Sequence, residues 1–205
     1  MPAPTPKAAW PLARCAQVAV AAAAVADLVR ATTLRAHRLH PEDTPLSASG
    51  QASMVYLYVM TAAVVLFLVW MARCRRTAEL LSPGAVTGSA AWAVFAWLIP
   101  GVNLWAPRGL VLGIQRASGP GGAPGRDEVL VNVWWAAWAG HAVLLAAGEL
   151  VGLGTSAVLL FATQALELAA AALAIAVIQR VTARQATGLR SLVPESAPGG
   201  LPHAS

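Results

Sequence analysis

The chain has 205 residues, of which 58% are hydrophobic and 11% charged, with a mean hydropathy of +0.62. A soluble domain carries roughly 25% charged residues, so this chain cannot coat a soluble surface and a bilayer is its implied solvent. The net charge of +5 excludes little, but in a membrane chain it points to arginine held at the cytoplasmic side beside anionic lipid, not to nucleic acid.

Residues 1–11 carry Pro2, Pro4, Pro6 and Pro11 and read as a flexible N-terminus. The first apolar run, 12–29, reads in two ways. It is either a retained helix or the core of a signal peptide, with Arg14 in front and Ala24-Val25-Ala26 as the cleavage-like site before Asp27. A polar loop follows over 30–51, its first part to about Leu39 able to extend the helix. His37, His40, Glu42 and Asp43 in that loop read as solvated groups, not a metal site. Cys15 and Cys74 have no CxxC partner, so neither a disulfide framework nor a zinc site is expected.

The second run, 52–72, is free of charge and ends at Arg73, Arg75 and Arg76. Its length suffices to cross a hydrocarbon core of roughly 30 Å. The third run, 85–106, is also uncharged but holds Pro100, Gly101 and Asn103. Proline removes a backbone donor and clashes with the preceding turn, so a helix there must kink or stop. Residues 107–117 form a short amphipathic stretch with Arg108 and Arg116, and 118–126 a Gly- and Pro-rich linker. The fourth run, 129–151, opens with Trp134, Trp135 and Trp138, expected as an interfacial belt. After a tight turn at 152–156 the fifth run, 157–178, is closed by Arg180 and Arg184, and 185–205 reads as a disordered tail. The expected fold is an all-α, polytopic membrane helix bundle over 12–184, with four transmembrane helices plus a Pro-broken third segment.

Three stretches carry a family resemblance: Phe67-Leu-Val-Trp70-Met-Ala-Arg73-Cys-Arg-Arg76-Thr-Ala-Glu79, then Trp97-Leu-Ile-Pro100-Gly-Val-Asn103-Leu-Trp-Ala-Pro107, then Val133-Trp134-Trp135-Ala-Ala-Trp138. In this order they resemble the DUF4328 family of actinobacterial membrane proteins, which has no assigned function. The resemblance covers about 52–180. Thr77 stands where the family usually has Asn, and Ala106 and Gly109 stand where Arg and an aromatic are common. The resemblance implies a bacterial cytoplasmic-membrane protein and supplies no catalytic residues.

The short, uncharged turn at 152–156 places that turn outside and the C-terminus in the cytoplasm. If all five runs span, nine basic residues face the cytoplasm against five outside; if the third run does not span, the division is eleven against three. The positive-inside rule favours the second arrangement, whereas the length of run three favours the first. Arg73, Arg75, Arg76, Arg108 and Arg116 then form either a topology anchor or an anionic-lipid patch. Pro100 and Asn103 form either a simple kink or a ligand site at a broken helix.

Ionisable groups inside a bilayer are costly and usually face a partner. His141 and Glu167 lie equally far from Gly154, about 15 Å below the helix ends at 1.5 Å per residue, with Gln164 one turn from Glu167. These three are the expected intramembrane polar group, as an interhelical clasp or as a proton relay. Gly148 and Gly152 match a close-packing pattern that a chain this rich in Gly and Ala meets by chance. No motif of a hydrolase, zinc enzyme or phosphate loop is present, and no cofactor is implied. The expected function is a structural, scaffold or lipid-interacting membrane component, with membrane lipids, a second copy or a membrane protein as partner; the alternatives are a small oligomeric transporter or channel and, further off, a membrane-embedded enzyme.

Overall fold

A computed structural model describes residues 8–43, 45–97, 99, 101–118, 124–153 and 156–192. Six helices contain most of them: α1 (Trp10–Leu39), α2 (Leu46–Leu81), α3 (Ala90–Phe95), α4 (Ala106–Ala117), α5 (Pro124–Leu150) and α6 (Ala157–Ser191), with a 3₁₀ turn over Val102–Leu104. No strand occurs among the described residues. Helices α1, α2, α5 and α6 are long and apolar enough to cross a membrane. Such helices satisfy every backbone polar group within the segment, which hydrocarbon requires.

The helices outrun the apolar runs at both ends. The linker expected over 118–126 ends early, because α5 starts at Pro124, and α1 starts at Trp10 within the expected flexible N-terminus. Helix α2 begins at Leu46, ahead of the apolar run, and ends at Leu81, beyond its arginines. Helix α6 continues to Ser191, past the expected start of the disordered tail at 185, because Gln185, Ala186, Gly188 and Leu189 are buried against neighbours. At 1.5 Å per residue, helices of 36 and 35 residues are about 50 Å long, longer than a hydrocarbon core of roughly 30 Å. The third run contains no helix of spanning length among its described residues; α3 has six residues. Gly101 adopts a positive φ of 82° before the 3₁₀ turn, a conformation glycine reaches at little cost.

Side-chain pairs fix the packing. Gln17 of α1 reaches the Ile175 carbonyl at 3.0 Å and Asp27 meets Gln164 at 2.9 Å, so α1 and α6 are antiparallel. Trp70 donates to Thr182 Oγ1 at 3.1 Å and Gln185 to the Cys74 carbonyl at 2.7 Å, so α2 and α6 run together. One end of the bundle therefore gathers the start of α1, the end of α2, α4, the start of α5 and the end of α6. The other end carries the α1–α2 connection and the α5–α6 turn.

The two halves have opposite interiors. At the first end Phe67, Trp70, Met71, Val111, Val131 and Ile178 form an apolar core. Trp134 and Trp135 belong to it: Trp134 is 6.3 Å from Phe67 and 6.2 Å from Trp97 between ring centroids, and both are buried. The expected interfacial belt is thus an interior aromatic cluster at these two positions, because Phe67 of α2, Trp97 and helix α4 cover that face of α5. At the second end the interior is polar.

Candidate functional site

The polar half is built on α1. Asp27 and Arg30 stand three residues apart on one helical face, and Asp27 is 1% exposed. Arg30 holds Oδ1 of Asp27 with Nη2 at 2.6 Å and Nε at 2.9 Å. Gln164 Nε2 donates to the other carboxylate oxygen at 2.9 Å. Tyr56 of α2 closes this cluster with its ring 4.7 Å beneath the Arg30 guanidinium, a cation–π contact. A buried carboxylate is tolerated when it is paired and hydrogen-bonded, and both conditions are met here.

One turn deeper, α5 and α6 present His141 and Glu167 to each other, Nε2 to carboxylate oxygen, at 3.6 Å. The spacing is that of an ion pair and exceeds a hydrogen bond. His141 Nδ1 lies 2.9 Å from the Thr163 carbonyl. That oxygen can only accept, so Nδ1 carries a proton. Gln164 takes no part in this pair; it turns toward α1 and Asp27. Glycines allow the close approach of α5 and α6: a Cβ on Gly148 would lie 2.2 Å from Leu159.

The arginines at the apolar-core end divide into two groups. Arg75 donates to the carbonyls of Thr87, at 3.1 Å, and of Gly88, tying α2 to the chain before α3. Arg108 donates to Asn132 at 2.7 Å, Arg116 pairs with Glu128 at 2.8 Å, and Arg184 pairs with Asp127. Arg73 and Arg76 are exposed, and their guanidinium groups make no hydrogen bond or ion pair to any described residue. Helix α4 lies across this end with Val111, Leu112 and Ile114 buried and Arg108 and Arg116 outward.

Pro100 lies outside the described residues, as do Gly154 and the C-terminal residues beyond 192. Asn103 is half-buried in the 3₁₀ turn, its N–H donating to the Ile99 carbonyl at 3.0 Å. The sequence reading passed over Asp27 and Arg30. The available signal was an acid and a base three residues apart at the edge of an apolar run, a pattern expensive enough in a membrane to demand a role.

A model of the DUF4328 family, described as a domain of unknown function, matches residues 46–183. That span takes in α2 to α6 up to the last turns, and leaves out α1 with Asp27 and Arg30. Comparison with curated proteins and with solved structures gives no match.

Proposed function

This chain belongs to the DUF4328 family, and from that premise we propose that it is a multi-pass protein of the bacterial cytoplasmic membrane that binds anionic lipid at its arginine-rich face. In this reading α1, α2, α5 and α6 span and the third run does not. The basic end is cytoplasmic, carrying Arg14, Arg73, Arg75, Arg76, Arg108, Arg116, Arg126, Arg180, Arg184 and Arg190. Only Arg30, Arg35 and Arg38 fall toward the other end, so the positive-inside rule favours this orientation. The contacts of α1 with α2 and α6 support its retention as a helix.

The observation that carries the lipid reading is the division among the arginines. Arg75, Arg108, Arg116 and Arg184 hold the fold together, whereas Arg73 and Arg76 stand exposed at the helix end. Two such groups beside an anionic leaflet contribute about 1 kcal/mol each. Helix α4 carries Arg108 and Arg116 on its outward face at the same end. The test is native mass spectrometry of the chain in mild detergent with phosphatidylglycerol or phosphatidylcholine added. The wild type should retain phosphatidylglycerol preferentially, and Arg73→Ala/Arg76→Ala should lose most of that preference. Equal retention of the two lipids by the wild type would contradict the reading.

A second reading, a small proton-linked transporter, rests on the facing of His141 and Glu167 at 3.6 Å between α5 and α6. In the first reading the pair is a clasp of roughly 1 kcal/mol. Glu167→Gln separates them: a clasp loses a little stability, whereas a carrier reconstituted in liposomes loses proton-coupled flux.

A further inference from the structure

Ala72, Arg75, Arg76 and Glu79 of α2 follow the spacing of a single helical face. With Val86 and Val94 they line a cavity of about 370 Å³ between the end of α2 and the chain that leads into α3. Small-molecule sites occupy roughly 300–1,000 Å³, so this cavity has room for more than an ion. Ala72 is the last residue of the uncharged run. Glu79 stands about 10 Å further along the helix axis at 1.5 Å per residue. The α2 wall of the cavity therefore changes from apolar to charged over two turns, and the valines opposite add apolar surface.

The charged residues divide into two that build the wall and one that is spare. Arg75 donates to the carbonyls of Val86, Thr87 and Gly88. Glu79 accepts the Gly84 N–H at 2.9 Å. These bonds tie the connection after α2 back onto the helix and fix the cavity wall. Their partners are neutral backbone groups, so they leave both charges in place. Arg76 lies between them in sequence and is exposed. Neither arginine forms an ion pair with Glu79, although all three line one cavity. Two guanidinium groups and one carboxylate give the cavity one net positive charge. The planar guanidinium forks match oxyanions. The carboxylate can only accept, so it takes an O–H and repels further negative charge.

We propose that this cavity seats one phosphatidylglycerol molecule, with its phosphodiester at Arg76 and Arg75, a glycerol hydroxyl on Glu79 and its glycerol backbone toward Ala72 and Val94. The proposal rests on the lipid reading of the basic face and narrows it from a patch to a single site. A phosphodiester carries one negative charge and matches the balance of the cavity. A phosphomonoester carries about 1.5–2 negative charges near neutral pH. Phosphatidic acid therefore brings extra charge toward Glu79 and no headgroup glycerol. Phosphatidylethanolamine is neutral overall and forgoes the net attraction. The apolar walls beside the charges favour the lipid over its free headgroup. Arg73 is exposed as well, but it does not line the cavity, so the two spare arginines are not equivalent.

The test is native mass spectrometry of the full chain in mild detergent, with phosphatidylglycerol, phosphatidic acid, phosphatidylethanolamine and phosphatidylcholine added at equal concentration. The wild type should retain one phosphatidylglycerol in preference to the other three. Arg76→Ala should lower that retention about tenfold, whereas Arg73→Ala should leave most of it. Ala72→Phe and Val94→Trp each fill the cavity without removing a charge, and whichever of them folds should lose the lipid. Glu79→Gln keeps an acceptor for Gly84 and removes the negative charge, so retention of phosphatidic acid should rise to meet that of phosphatidylglycerol. A wild type that does not prefer phosphatidylglycerol to phosphatidylcholine would overturn both this site and the lipid reading. Four results would overturn the site alone: equal losses in Arg73→Ala and Arg76→Ala, retention unchanged in a folded cavity-filling variant, a wild type that holds phosphatidic acid or phosphatidylethanolamine equally well, or phosphatidic acid unmoved by Glu79→Gln. Displacement of the lipid by an equal concentration of free glycerophosphoglycerol would overturn it too.

Discussion

Asp27 shows how much depends on single partners in the polar half. Its carboxylate is buried and rests on Arg30 and Gln164. Removing one member of a buried ion pair strands the other charge, at about 3–5 kcal/mol, whereas removing both is far cheaper. Arg30→Met should therefore destabilise the chain by roughly that amount in a detergent unfolding titration, and Asp27→Leu/Arg30→Met should recover most of the loss. Equal destabilisation in the single and double variants would show that the pair is not the source. This pair was visible in the sequence, but Ala24-Val25-Ala26 drew Asp27 toward a cleavage site and Arg30 toward a loop. His141 and Glu167 could be placed at one depth because an antiparallel hairpin mirrors residues about its turn. The direction of Gln164 could not be read the same way. Three residues before Glu167 it is rotated about 60° around the helix, enough to face α1, and sequence spacing does not say where α1 packs.

Among the elements, the apolar runs were legible because a bilayer allows no charge within them, yet their helices were longer than the runs. Helices α2 and α6 continue beyond the apolar runs because Cys74 and Ala78 share a buried cluster with α4 residues and Gln185 bonds the Cys74 carbonyl and the Ser118 hydroxyl. That is a core with ordinary amphipathic signals, and a hydropathy reading passes over it. The tryptophans at 134 and 135 were misjudged for the same reason: a helix covering them cannot be seen in their own spacing. The end of α5 is a Schellman motif, with the Leu153 N–H bonded to the Gly148 carbonyl at 2.9 Å and the Gly152 N–H to Glu149 at 3.3 Å. Gly152 has a φ of 70°, where a Cβ costs about 1–2 kcal/mol. Gly152→Ala should lower stability by that amount without disturbing the α2–α6 half. The melting temperature should fall while tryptophan emission of the native state stays unchanged. A variant as stable as the wild type would mean that this end carries no strain.

At the scale of the whole molecule the chain is two-sided. One end has an apolar, tryptophan-rich core under an arginine-studded surface. The other has a polar interior and a small cavity beneath the α5–α6 turn. The lipid role proposed for the basic face requires that these ends face opposite sides of the membrane, with the run over 85–106 remaining on the side of the basic face. The direct measurement is labelling of intact cells with a membrane-impermeant thiol reagent, using single cysteines at positions 43 and 77 in a background without Cys15 and Cys74. Asp43→Cys should be labelled from outside, and Thr77→Cys only after the cells are permeabilised. Labelling of Thr77→Cys in intact cells would place the basic face outside and contradict the four-span arrangement.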